Sequence, residues 1–430
     1  MTARRDAGID AVRAIAIAGV VLGHWLVTAL VLGDDGALHV NSPLAALPAL
    51  QPVSWLFQTL GLFFLAGGYA AAASAARPKT VPAPSSPVPA ARRRFPPLPR
   101  RLRALGLPVL ALLALLGLAL TAGALAGVPE ATLRTVGKLV LSPLWFLLPF
   151  LVLTALVGPI ARLVRRFGPV PPVAAAAAVV LAADAGFGFL PTTLVAAWSV
   201  PFVLGVALAQ GRLGGRRTGW ALLAGGALAV AALVLFAGYP ASAVGVPGAG
   251  RSNLDPPSLA ALALAFAQTG AVLLLLPRLR RLGARRPVRA LNQAALPVYL
   301  WHQATMISVT VLVAWLAGRL PGLLVAPGGY AWAAARFAWL PLFAAALVLV
   351  VRLTRVGPGR PAAGAPQRPA GGRRRRPYRT VPGQPSGLWH GSGGHRIESA
   401  TVRVPGRRVE VIAVRDSDPP SRSRAAVRSR

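Results

Sequence analysis

Long apolar stretches run along this chain, separated by short segments in which arginine collects. The pattern lacks the strict alternation of a half-buried strand and the single stripe of a soluble helix. About 20 apolar residues are needed for a helix to cross about 30 Å of hydrocarbon. Ten stretches qualify: 10–32, 53–76, 105–127, 140–161, 171–190, 193–210, 218–238, 258–277, 292–317 and 331–353. They predict an all-α, polytopic membrane protein. The fifth and sixth stretches are short and meet at Gly186–Pro191, so a re-entrant pair or a broken helix competes there with two separate spans.

The polar segments order the spans. Arg4 and Arg5 precede the first. Arg92, Arg93, Arg94, Arg100, Arg101 and Arg103 lie between the second and third, and Arg162, Arg165 and Arg166 follow the fourth. Arg212, Arg216 and Arg217 follow the sixth; Arg278, Arg280, Arg281, Arg285, Arg286 and Arg289 follow the eighth. The alternate loops hold only Arg134, Lys138, Arg251 and Arg319, with Arg336 just inside the tenth stretch. Basic loops stay in the cytoplasm, which predicts an even number of spans with both termini cytoplasmic. The first stretch is too long for a typical signal peptide and carries ionisable residues, so it reads as a retained helix. Residues 80–99 form a proline-rich linker inside a membrane domain spanning 1–355. Residues 356–430 form a basic, largely disordered tail, in which 400–414 alternates like a hairpin around Pro405 and Gly406.

Composition narrows the function. Only 13% of residues are charged, against about 25% in soluble domains. The net charge of +35 punctuates apolar runs and crowds the tail, so it signals topology rather than nucleic-acid binding. The absence of cysteine excludes disulfides and thiolate nucleophiles. Lysine occurs only twice amid abundant alanine, proline and arginine, a bias typical of GC-rich bacterial coding.

Ionisable groups at membrane depth are the candidates for chemistry. Arg13 and His24 are eleven residues apart. That spacing puts them within about 20° on one helix face and roughly 16 Å apart, with Asp10 about 40° from His24. His302 falls at a similar depth in the run Tyr299-Leu300-Trp301-His302-Gln303. Histidine suits proton transfer near neutrality, and the alternative for each is a buried helix–helix hydrogen bond. Arg13 reads equally as an anion clamp and as an interfacial anchor. Arg100, Arg101 and Arg103 have the make-up of a phosphate site or of a lipid-headgroup contact. Gln58 and Tyr69 on the second stretch, Trp145 between Pro143 and Pro149, and Gln268 and Gln303 are candidate pocket residues. Two histidines without a nearby cysteine or carboxylate leave too few ligands for zinc, so no metal site is expected. There is no P-loop, Gly-x-Ser-x-Gly elbow or His-Glu-x-x-His motif.

Four separated motifs resemble the acyltransferase 3 family of membrane proteins. Ile9-Asp10-Ala11-Val12-Arg13 with His24 resembles its Leu-Asp-x-x-Arg and Arg-x10-His signature. Leu62 to Tyr69 is similar to its Phe-Phe-Phe-x-Ser-Gly-Tyr stretch, with Ala66-Gly67 where the family has x-Ser. Leu144-Trp145-Phe146-Leu147 and Tyr299-Leu300-Trp301-His302 resemble its Leu-Trp-Phe-Leu and Tyr-Leu-x-His motifs. Arg100 and Arg103 have the spacing of its Arg-x-x-Arg motif, although the following Leu107-Pro108 is displaced by about one residue from the family's pattern. The resemblance implies an acyltransferase of the bacterial inner membrane. It would move an acyl group from a cytoplasmic acyl-CoA-like donor to a hydroxyl or amine of a sugar, glycan, lipid or secondary metabolite. It further implies His24 as general base supported by His302, donor binding by Arg13, Arg100 and Arg103, and supporting roles for Asp10, Gln58, Tyr69, Trp145, Tyr299 and Trp301. No tightly bound cofactor is expected; acyl-CoA is the co-substrate. From the residues alone, a ten-helix transporter or exporter competes with this reading, and a membrane anchor with a recruiting tail is a third.

Overall fold

A computed structural model of the chain describes residues 6–76 and 98–354 and two tail strands, with only the backbone described for 98–105 and the strands. Among these residues ten helical spans are long and apolar enough to cross a membrane. The chain divides into two units, 1–358 and 359–430.

The first unit opens with α1 (Ala7–Val27), whose first turn is capped by the Asp6 carboxylate accepting from the Gly8 N–H at 2.8 Å. The apolar stretch predicted over 10–32 does not stay helical throughout. Residues Ala29–Leu32 leave the helix as β1 and pair antiparallel with β2 (Leu38–Asn41). The turn at Asp34-Asp35-Gly36 drives this, because Gly36 takes φ +70, a conformation open to glycine. The Ala37 N–H and then the His39 ring hold the Asp35 carboxyl below its ordinary range. Short helices α2 (Pro43–Ala46) and α3 (Ser54–Phe57) return the chain to the bundle, and α4 (Leu60–Ala75) completes the second crossing.

Then follow α5 (Leu98–Leu125), α6 (Glu130–Leu141), α7 (Leu147–Ala155) and α8 (Val157–Phe167). The fourth crossing comprises 130–155, not 140–161, with a 3₁₀ turn at Ser142–Phe146 between α6 and α7. Pro143, at the start of that turn, has no N–H to donate to a regular helical ladder. The fifth and sixth stretches are two separate helices, α9 (Val170–Ala182) and α10 (Leu190–Ala209). A π-helical turn, Ala183–Phe187, with Gly186 at φ +93 inside it, divides them. The rest are α11 (Arg216–Phe236), α12 (Leu259–Gly283), α13 (Arg286–Gln293), α14 (Ala295–Ala317) and α15 (Tyr330–Thr354). In the second unit β3 (Arg396–Val404) pairs antiparallel with β4 (Arg407–Arg415), as the alternation of 400–414 suggested. The remaining parts of the predicted linker and tail, 80–97, 356–395, 405–406 and 416–430, lie outside the described residues.

Small residues let the helices that frame the site approach closely. A Cβ on Gly205 would sit 2.0 Å from the Leu65 carbonyl oxygen, and one on Gly68 would sit 2.1 Å from that of Phe202. α4 and α10 therefore meet backbone to backbone. Gly205→Ala must push them apart, since a backbone carbonyl has no alternative rotamer. It is expected to lower stability by about 1–3 kcal/mol, as overpacking does. A Cβ on Gly225 would meet nothing within 4 Å, so Gly225→Ala serves as the neutral control. Thermal midpoints of the two variants in one detergent check this, and equal midpoints would refute the backbone contact.

Candidate active site

α1 carries Arg13 and His24 on one face and packs along α4, α12, α13 and α14. The opposing wall is α14. The His24 and His302 rings meet edge to face with centroids 5.1 Å apart. The next residue, Gln303, places its carboxamide nitrogen 3.2 Å from His24 Nδ1. Thus the two intramembrane histidines do meet, although 278 positions separate them in sequence.

Each partner is held from behind. His302 is fully buried and its Nδ1–H donates to the Tyr299 carbonyl at 2.6 Å. The Trp25 indole N–H donates to the His302 carbonyl at 3.0 Å, crossing from α1 to α14. The Tyr299 hydroxyl donates to the Pro143 carbonyl, and its ring packs 4.4 Å from that of Phe146. On the other flank, Thr59 donates to the Ala16 carbonyl at 2.8 Å and Gln268 to the Gln58 carbonyl at 2.6 Å.

Part of this assembly lines a cavity of about 740 Å³. His24, Gln58, Tyr299 and Gln303 are among its interior polar groups, with Thr28 and Ser54; Phe57, Leu60, Trp145 and Phe146 are among the apolar walls. Exposed Lys138 and Asp255 stand at its rim. The volume is that of a small-molecule site, with a few convergent polar groups in an apolar enclosure. The segment 237–258 contributes Val244, Gly245, Leu254 and Asp255 to the lining. That segment is anchored by the Asp184 carboxylate, which accepts from the Tyr239 hydroxyl at 2.6 Å and from the Leu259 N–H at 3.0 Å. Burial and the adjacent carboxylate push the Tyr239 phenol up to about 12.

Arg13 lies away from this cavity, toward the start of α1. Its Nε donates to the Asn292 side-chain oxygen at 2.9 Å, and the Asn292 amide donates to the Asp10 carbonyl at 2.7 Å. Of the other predicted site residues, Gln58, Trp145 and Tyr299 line the cavity. Tyr69 packs in the cluster with Ile9, Val12 and Leu65, and Trp301 packs in the one with Val21 and Trp25; neither lines it. The side chains of Arg100 and Arg103 lie outside the described residues. Among the described residues no three of His, Cys, Asp and Glu group as metal ligands do.

Sequence reasoning did not find Asn292 or the role of Arg336. Arg336 is 1% exposed and donates to the carbonyls of Trp25 at 2.6 Å, Thr28 at 2.7 Å and Gly322 at 2.8 Å. Its position inside an apolar stretch was the available signal; its partners on α1, about 300 positions away, were not readable.

Fold and site together define a polytopic membrane protein with a partly buried imidazole at the wall of a substrate-sized cavity. A family model described as an acyltransferase domain, that of the acyltransferase 3 family, matches residues 6–356. The chain belongs to this family and is a multi-pass membrane acyltransferase. No curated protein and no solved structure matches it.

Proposed function

We propose that the enzyme takes an acyl group from a cytoplasmic acyl-CoA-like thioester and gives it to a hydroxyl or amine of a sugar, glycan, lipid or secondary-metabolite acceptor. In this reading both termini face the cytoplasm of a bacterium and the protein resides in its plasma membrane. Arg13, held by Asn292, faces donor phosphates together with Arg100 and Arg103, and the acceptor occupies the cavity at His24.

For a hydroxyl acceptor, the oxygen attacks the thioester carbonyl carbon while its proton passes to His24. The new O–C bond forms, the C–S bond breaks, and the departing thiolate takes the proton back from His24. The observation that carries this reading is His24 itself: a ring nitrogen at the cavity wall, beside His302, on the helix whose other end carries Arg13. A span of roughly 16 Å along that helix separates the two side chains' positions, a distance suited to a donor with a charged head and an extended reactive arm.

The test is radiolabelled acyl-CoA added to membranes that contain the protein, with a host lysate supplying acceptors. Label is expected in an extractable product only when the protein is present. Solute flux across liposomes without any donor, and no transfer of label, would overturn the reading.

A further inference from the structure

We propose that Gln303 is a positioning residue that fixes where His24 carries its proton. Its carboxamide oxygen accepts from His24 Nδ1–H and thereby leaves Nε2 free to receive the acceptor's proton. This rests on His24 being the base.

The Gln303 carboxamide meets His24 Nδ1 at 3.2 Å, and its other end, Oε1, is buried with no hydrogen-bond partner. The whole side chain is only 2% exposed, so water does not satisfy it freely. A neutral imidazole has one N–H and one lone pair, and the two ring nitrogens exchange these roles. If the NH2 group donates to Nδ1, the proton must sit on Nε2, and a buried oxygen stays unpaired. The nitrogen left to face a substrate then already carries a proton and does not act as a base. Turning the carboxamide by half a revolution exchanges isosteric ends. The oxygen now accepts from Nδ1–H and Nε2 presents its lone pair, while the buried end without a partner becomes the NH2 group in place of the oxygen.

The second arrangement is the one in which His24 acts as a base, and the neighbouring ring supplies no competing donor. His302 spends its Nδ1–H on the Tyr299 carbonyl, so that ring has no second N–H to offer His24 while it is neutral. The rings touch edge to face, which fixes the orientation of His24 without deciding its tautomer. Among the described residues, Gln303 is thus the hydrogen-bonding group that meets His24 Nδ1. Orienting a catalytic histidine through its second nitrogen is the task that a carboxylate or amide performs in nucleophile–histidine triads.

The deciding measurement is solid-state nitrogen-15 NMR of the full-length, histidine-labelled protein in bilayers, with His24 assigned as the signal lost in His24→Asn. Neutral His24 is expected to carry its proton on Nδ1. Gln303→Met should shift that population to Nε2–H and lower kcat on the order of tenfold or more, with KM little changed. Gln303→Glu keeps an oxygen acceptor and should preserve both the Nδ1–H signature and most of the turnover. A wild-type His24 protonated on Nε2 overturns the proposal, and so does a tautomer that Gln303→Met leaves unaltered. Should Gln303→Met fail to fold, the wild-type spectrum still decides. Full activity in His24→Ala would instead sink the base assignment and leave the tautomer result standing.

Discussion

His24→Ala is expected to lower acyl transfer by about 10²–10⁴-fold, the usual contribution of a positioned general base. Folded protein should be recovered in wild-type amounts. The side chain lies at a cavity wall, among the described residues it hydrogen-bonds Gln303, and its removal enlarges existing space rather than opening a sealed void. His302→Ala gives the contrasting result. That ring is fully buried and packs against Tyr299 and His24, so its loss creates a cavity and lowers stability by about 2–4 kcal/mol. Transfer should fall less steeply than in His24→Ala when rates are normalised to folded enzyme. Label transfer from acyl-CoA, measured beside size-exclusion profiles of each variant, separates the two histidines. Unchanged turnover in His24→Ala would remove the base from the mechanism.

Arg336→Met is expected to damage the fold more than loss of either histidine. Three backbone carbonyls, from Trp25, Thr28 and Gly322, depend on one guanidinium, and it forms no ion pair among the described residues. It also lies 5.0 Å from the Phe343 ring and 5.8 Å from that of Trp332, so part of its charge is met by aromatic faces. Losing the donor strands carbonyls at the C-terminal end of α1, where a helix has unsatisfied oxygens by construction. Each buried orphan costs about 1–3 kcal/mol, so a total of several kcal/mol is expected. Arg336→Lys should rescue little, because one ammonium does not span three diverging acceptors as a planar guanidinium does. Loss of a monodisperse peak after detergent extraction, in Met and Lys variants alike, is the expected readout. A Met variant as stable as wild type would show that other donors reach these carbonyls.

The helices were legible because crossing a bilayer imposes length and apolarity on local sequence, and the ten spans follow from those alone. Arg13 and His24 were legible as a pair for a similar reason, since one helix fixes their relative placement. Side chains brought together by tertiary packing were not. His302 could be matched to His24 only by depth, while the hydrogen bond of Gln303 and the clamp of Arg336 depend on which helices become neighbours. The departure of Ala29–Leu32 into a strand was signalled by the Asp34-Asp35-Gly36 turn, but hydrophobicity outweighs turn chemistry when a stretch is read for membrane crossing. Tyr69 and Trp301 lie on the helices that carry their motifs without lining the cavity. Position in a motif places a residue on the right helix, but rotation about the helix axis decides whether it reaches the cavity.

The anchoring of segment 237–258 bears on how this enzyme can diversify. Asp184 holds Tyr239 and the start of α12, Trp55 donates to the Ala241 carbonyl, and buried Asn253 donates to the carbonyls of Pro240 and Ser242. Structural support is thus concentrated at the two ends of the segment. Between them, Gly245 and residues 247–250 are exposed, and Gly245 lines the cavity. Apart from Gly248, whose φ of +84 favours glycine, mutation there meets weak selection from folding, and at Gly245 it changes the cavity wall beside His24. On the proposed function, new acceptor preferences can therefore accumulate in this short stretch while His24 and Gln303 are left in place.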